Sequence, residues 1–252
     1  MIVVEDLVKY YGETLAVDGL SFTVNDGEIL GLVGPNGAGK TTVLRCITCI
    51  VQRTKGRIVV DGLDLATHEQ DVKRRLAFVP ETPSPFEMLT VEEHVRFIAR
   101  AYGTTERVEE RMTELLDKFE LSEKRRDLVL SLSKGMKQKL AIACAFIHNA
   151  TNFLFDEPLI GIDPRGVRTL KDMMMQARND GRAVLISTHM LDTAERLCDR
   201  ILILQRGVKL AEGRLDELHH RARVGEDASL EDLFLTLTEE GRAVESPGVP
   251  GV

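Results

Sequence analysis

The 252-residue chain has no apolar run approaching the eighteen or so residues that a membrane span needs. Its opening, Met1-Ile2-Val3-Val4-Glu5-Asp6, carries neither a basic leader nor a long apolar segment, which predicts no secretory signal and a cytoplasmic location. Positive charge is in short supply, with 33 Lys and Arg against 40 Asp and Glu and a formal net charge of −7. That balance argues against nucleic acid as a partner and against direct adhesion to an anionic membrane, since both need a basic face. Cysteine is sparse as well: Cys46, Cys49, Cys144 and Cys198. Cys46 and Cys49 make a C-x-x-C, but with no second pair and no nearby histidine the spacing does not read as a metal or redox site. It falls inside a helix expected between Leu44 and Ile50, where both thiols serve as small apolar packing residues. Internal repeats are absent. The hydrophobic fraction of 43% and the length suit one globular domain, with room for two lobes.

What is present is a phosphate cradle. Gly34-Pro35-Asn36-Gly37-Ala38-Gly39-Lys40-Thr41 fits G-x-x-x-x-G-K-[ST]. The apolar run Ile29-Leu30-Gly31-Leu32-Val33 before it reads as a buried strand, and Thr42 to Ile47 after it as the first turns of a helix. Glycines let the backbone curl so that several N–H groups face one phosphate chain, and the helix N-terminus adds partial positive charge. Lys40 then reaches the β- and γ-phosphates of a nucleoside triphosphate, and the Thr41 hydroxyl sits on Mg²⁺.

The flanking pattern is α/β. Val3–Val8, Leu20–Val24, Arg57–Val60 and Leu76–Val79 read as strands. A proline cluster, Pro80, Pro83 and Pro85, marks the expected internal boundary. Thr90 with Glu93 forms a capping box, followed by Val91, Val95 and Ile98 on one helical face. Residues 107–120 carry helical spacing, and Ser133 starts another helix. Alternation then resumes, with strands at 152–155, 183–187 and 201–204 and helices at 165–177 and 190–197. This predicts a mainly parallel sheet with helices on both faces, and an inserted helical lobe over about residues 85–150. Ser229–Leu237 reads as a short amphipathic helix, and residues 241–252, rich in Gly and Pro, as a disordered tail.

Three further features support the cradle. Phe153-Leu154-Phe155-Asp156-Glu157 is an apolar strand ending in two acids. Asp156 suits the second anchor on the Mg²⁺ side, and Glu157 a base that orients and deprotonates the attacking water. His189 lies just past a strand, where ligands bind in such sheets, and suits contact with the γ-phosphate. Leu132-Ser133-Lys134-Gly135-Met136 places Ser133 and Gly135 at a helix start, a second anion site with no phosphate of its own. Such a site makes sense if it completes another subunit's pocket.

In this order the motifs resemble the ATP-binding-cassette (ABC) transporter ATPases, over roughly residues 2–215. The resemblance implies a P-loop NTPase fold of RecA-like type: a mainly parallel sheet, an antiparallel β lobe and the inserted helical subdomain, within an ATPase domain over 1–215 and a helical extension over 216–240. It implies ATP and Mg²⁺ as cofactors. Nucleotide contacts fall to Tyr11, Gly34, Pro35, Asn36, Gly37, Ala38, Gly39, Lys40, Thr41 and Thr42, with Ser133 and Gly135 serving the opposite copy. Tyr11 matches the adenine-stacking aromatic, Ile160-Gly161-Ile162-Asp163 the D-loop, and His189 the switch histidine. Thr41, Glu81 and Asp156 are the implied Mg²⁺ ligands, and Glu157, His189 and Lys40 the catalytic set. Glu81 stands where the family has glutamine, and Leu-Ser-Lys-Gly-Met replaces Leu-Ser-Gly-Gly-Gln; Glu81 adds negative charge beside the γ-phosphate, and Lys134 a cation. Within the family the chain is similar to bacterial exporter-type ATPases, above all Ecs-type ATP-binding subunits. This implies an integral membrane permease as partner, a homodimer formed on ATP binding, and peripheral attachment to the inner face of the cell membrane. A soluble Suf-type assembly ATPase is the alternative, sharing every nucleotide motif without a membrane partner.

Overall fold

A computed structural model describes residues 1–222, 225 and 228–244. The amino-terminal segment forms β1 (Ile2–Tyr11) and β2 (Thr14–Val24), longer than the apolar alternation alone marks, because β1 is bonded on both edges. After β3 (Ile29–Val33) comes α1 (Lys40–Ile47), the helix of the phosphate cradle. It stops earlier than the sequence predicts. Cys49 lies beyond the helix with φ of 58°, so only Cys46 is helical. Both cysteines are free thiols packed against the same apolar cluster, and burial pushes the Cys46 thiol up to about 11, which suits packing over reactivity.

Next come β4 (Lys55–Val60), the two-residue β5 (Leu63–Asp64), α2 (Glu69–Arg75) and β6 (Leu76–Val79). The sequence pattern missed β5 and α2: one is too short for any period, and the other buries only Val72. The helical lobe holds α3 (Val91–Ala101), α4 (Val108–Lys118) and α5 (Lys134–Ile147). Thr90 and Glu93 cap α3 reciprocally, and the Ser133 hydroxyl accepts from the Met136 N–H at the start of α5. Then β7 (Asn152–Asp156), α6 (Pro164–Asn179), β8 (Ala183–Thr188), α7 (Leu191–Leu197) and β9 (Arg200–Gln205) alternate. The chain continues into β10 (Val208–Gly213), α8 (Leu215–Ala222) and α9 (Leu230–Val244). Helix α9 runs on to Val244, so the first residues of the expected tail, 241–244, are helical; residues 245–252 lie outside the described residues.

Two sheets result. An antiparallel sheet has the order β2-β1-β4-β5, and a six-stranded sheet the order β10-β9-β3-β8-β7-β6. In the second, β9, β3, β8, β7 and β6 run parallel, and only the edge strand β10 is antiparallel. Strands β3, β7 and β8 are buried along their whole length, as parallel strands covered on both faces must be. One apolar cluster joins Val95 of α3, Leu115 of α4 and Leu140 of α5 to Phe153 and Phe155 of β7 and Ile186 of β8. The core is therefore continuous across the proline cluster, and the helical lobe rests on the sheet.

Candidate active site

The chemistry gathers at the carboxyl ends of β3, β7 and β8. Because β8 pairs with β3 on one side and β7 on the other, Val33 lies opposite Thr188 and Asp156 opposite Ser187. The loop after β3 and the acids after β7 thus open onto one cleft of about 630 Å³. Its walls include Pro35, Asn36, Gly37, Ala38, Gly39, Lys40, Thr41 and Thr42, together with Glu81, Glu157 and His189. These eleven expected residues come from four separate stretches of sequence.

Lys40 is buried, and its ammonium donates to the carbonyls of Gly34 at 2.6 Å and Pro35 at 3.2 Å. It lies 3.4 Å from Glu157 Oε1, within ion-pair distance. That oxygen is buried and has no hydrogen-bond partner among the protein atoms. The other carboxylate oxygen, Oε2, lies 3.0 Å from His189 Nδ1 and accepts from the His189 N–H at 3.4 Å. Glu157 therefore stands between the cradle lysine and the histidine, with one oxygen accepting no hydrogen bond. Its backbone is in the left-handed region, φ 47°, and its N–H donates to Ser187 at both the carbonyl, 3.1 Å, and the hydroxyl, 3.2 Å. The neighbouring strand holds this unusual conformation, which turns the carboxylate off the strand axis.

Ser187 is a residue the sequence reading missed. It is fully buried, and besides the Glu157 N–H it serves Asp156, donating to Oδ1 at 2.6 Å. Its signal was its place two residues before His189 at a strand end. Asp156 itself is buried behind the cleft wall. Thr14, Leu15, Ala16, Ile160 and Arg206 also line the cleft without having been expected. Tyr11 is outside that lining. It pairs across the β1–β2 hairpin with Thr14, is 44% exposed, and carries the Lys9 ammonium 4.8 Å over its ring. The hairpin turn carries the chain from Tyr11 to Thr14, and it is the residues after the turn that line the wall.

Ser133 and Gly135 are also outside the cleft, at the start of α5. There α5 meets the loop before α6 closely enough that a Cβ on Gly135 would come within 2.5 Å of the Gly161 carbonyl. Lys139, one turn on, is buried and ion-paired with Asp163, which caps α6 through the Gly166 N–H at 2.9 Å. The Lys139 ammonium and that cap hold the Asp163 carboxyl down at about 2, against an ordinary 3.8. A depressed carboxyl stabilises the fold when ionised, so its contribution is complete above about pH 4 and fades as pH falls toward about 2. Asp163→Asn is expected to flatten that part of the melting-temperature profile between pH 4 and 2; an unchanged acid limb would remove Asp163 from the account.

A glycine-rich loop joining a buried parallel strand to a helix, facing a carboxylate and a histidine from neighbouring strands, is a P-loop ATPase cassette. The chain belongs to the ABC transporter family, whose profile matches residues 17–160. It is 39% identical over 238 residues to the ABC-type transporter ATP-binding protein EcsA of Bacillus subtilis (strain 168), covering 94% of this chain and 96% of that protein. It is 33% identical to the linearmycin resistance ATP-binding protein LnrL of the same organism, over 88% of this chain and 71% of the relative. Among solved structures, an ATP binding subunit of an ABC transporter superposes with a TM-score of 0.91 at 38% identity, covering 94% of this chain and 99% of that one. A dimeric, post-hydrolysis ATP-binding cassette, MJ0796 with ADP and Pi, matches with a TM-score of 0.77 at 26% identity over 85% of this chain and 98% of its own. The chain is thus an ATP-binding, ATP-hydrolysing transporter subunit.

Proposed function

We propose that this subunit powers export through a separate integral membrane permease, as a homodimer that closes on ATP and opens on hydrolysis. The observation that carries the reading is the Lys40–Glu157–His189 chain at the mouth of the phosphate loop, its lysine and glutamate buried and its histidine exposed to the cleft. Lys40 holds the β- and γ-phosphates. Glu157 accepts the proton of the attacking water through Oε1. His189 contacts the γ-phosphate and holds Glu157 in place. Tyr11, exposed beside Thr14, stacks on adenine.

Mg²⁺ fits the oxygen donors at hand. The Thr41 hydroxyl and Glu81 carboxylate line the cleft, Asp156 lies behind it, and no cluster of three or more His, Cys, Asp or Glu among the described residues forms a protein cage. Mg²⁺ is ordinarily held by one or two carboxylates plus substrate phosphates, which is the donor set this site offers. Once bound with ATP it neutralises charge developing on the phosphates. Glu81, carboxylate where the family has an amide, makes that neutralisation more necessary.

Ser133, exposed at the start of α5, and half-buried Gly135 beside it serve the phosphates of a second copy. No helix among the described residues is long and apolar enough to cross a membrane. In this reading attachment to the inner face is through the permease. The loop at 80–89 and the helical lobe present Phe86, 55% exposed, and Met88, 77% exposed, as apolar contacts for it. Export draws support from relatives named for outward movement, among them the Nod factor export ATP-binding protein I of Ralstonia nicotianae, 35% identical over 85% of this chain. Ser133→Glu tests the dimer. Placing a carboxylate against the opposite γ-phosphate is expected to leave monomer ATP binding within about twofold, abolish the ATP-driven rise in mass by light scattering, and cut turnover at least roughly tenfold. Unchanged dimerisation would overturn the head-to-tail reading.

A further inference from the structure

The segment after β10 is not needed to build the cleft, yet it packs behind it. Leu230, Leu233 and Leu237 of α9 and Leu218 and Ala222 of α8 bury against Ala194 of α7 and Ile201 and Ile203 of β9. The same cluster contains Val33, the last residue of β3 before the phosphate loop. Helix α7 spans seven residues, too few to be stable alone, so its position depends on what covers it. It is also what anchors His189. Met190 caps it, its carbonyl accepting from the Thr193 and Ala194 N–H groups, both at 3.1 Å, while the Met190 N–H donates to the Thr188 hydroxyl at 3.0 Å. A polar contact ties α7 to α9: Glu195 Oε2 accepts the Leu230 N–H at 3.2 Å. Ser229 and Asp232 bond each other across the first turn of α9, so that the turn is preformed where Glu195 meets it.

We propose that Glu195 is a positioning residue for ATP hydrolysis: by locking α9 onto α7 it fixes where His189 stands against Glu157. The inference rests on the role of His189 proposed above. Removing the acceptor leaves the phosphate loop intact, and with it ATP binding. What is lost is this polar constraint on α7, the apolar packing of α9 remaining, and His189 then samples positions away from Glu157 more often. The Glu195 contact is to a neutral N–H, so an amide oxygen can replace the carboxylate there.

The test uses the full chain. Glu195→Ala, and Glu195→Met, which keeps the side-chain length without an oxygen, are expected to lower kcat roughly fivefold with KM for ATP unchanged within about twofold. Glu195→Gln is expected to restore kcat. In a His189→Ala background the Glu195→Met change is expected to cost less than about twofold, because its route is already cut. A loss in that background as large as in the native one overturns the inference while leaving His189 in its role. So does a Glu195→Met protein with native kcat, or one whose loss is all in KM. Native turnover in His189→Ala alone overturns the role of His189 and this inference with it.

Discussion

Glu157→Gln is expected to bind ATP at least as well as the native chain and to lose roughly 10²–10⁴ in turnover, the range a positioned general base contributes. Both halves follow from the geometry. The amide keeps the shape of the carboxylate, and the strained backbone at 157 is set by Ser187, not by the side chain. Binding therefore survives. Lys40 loses a buried anionic neighbour at 3.4 Å, which leaves its charge freer for phosphate. On the role proposed for Glu157, hydrolysis does not survive, because the oxygen with no hydrogen-bond partner is the one assigned to take the proton, and an amide has no basic oxygen to offer. Steady-state ATPase and equilibrium binding of ATP, measured on one preparation, separate the two effects. Native turnover would remove Glu157 as the base. The same variant is also the means of seeing the closed dimer, since it holds ATP without spending it.

Gly34→Ala is expected to abolish measurable ATP binding and to cost about 2–4 kcal/mol of stability. A Cβ at Gly34 would lie 2.2 Å from the Leu204 carbonyl oxygen, which belongs to the backbone of β9 and cannot swing aside. Either β9 moves away from β3, breaking the parallel ladder between them, or the loop lifts out of the curve that presents its N–H groups. The Lys40 ammonium would be displaced too, since it is steered by the Gly34 carbonyl. Calorimetric binding and a chemical denaturation curve check both halves. A protein that unfolds at the native midpoint and still binds ATP would mean the loop has slack that this contact denies.

The nucleotide cleft was legible in the sequence to an unusual degree, because a phosphate loop works through the backbone, and backbone requirements leave glycines at fixed spacing. The acids at 156 and 157 and the histidine at 189 could be read for a related reason: the acids end the apolar run Phe153–Phe155 and the histidine lies three residues past the run Ala183–Ile186, and such runs are strands buried on both faces. What stayed hidden depends on contacts between distant stretches. Ser187 looks like any polar residue at a strand end until β7 is laid beside β8. Tyr11 and Thr14 are three apart in sequence, and which of them lines the cleft is decided by the hairpin turn. Helix α2 has one buried side chain and so no period to detect. Cys49 sits in a helical-looking run that a left-handed residue ends early.

Strand β8 lies between β3 and β7, so the strands that carry the phosphate loop and the acidic pair are never paired with each other, and β8 sets the spacing between them. While the ribosome is still adding residues 158–182, both halves of the hydrolytic apparatus already exist but lack the slat that spaces them. A chain stopped before residue 183 therefore carries both motifs and no strand to set the register between them.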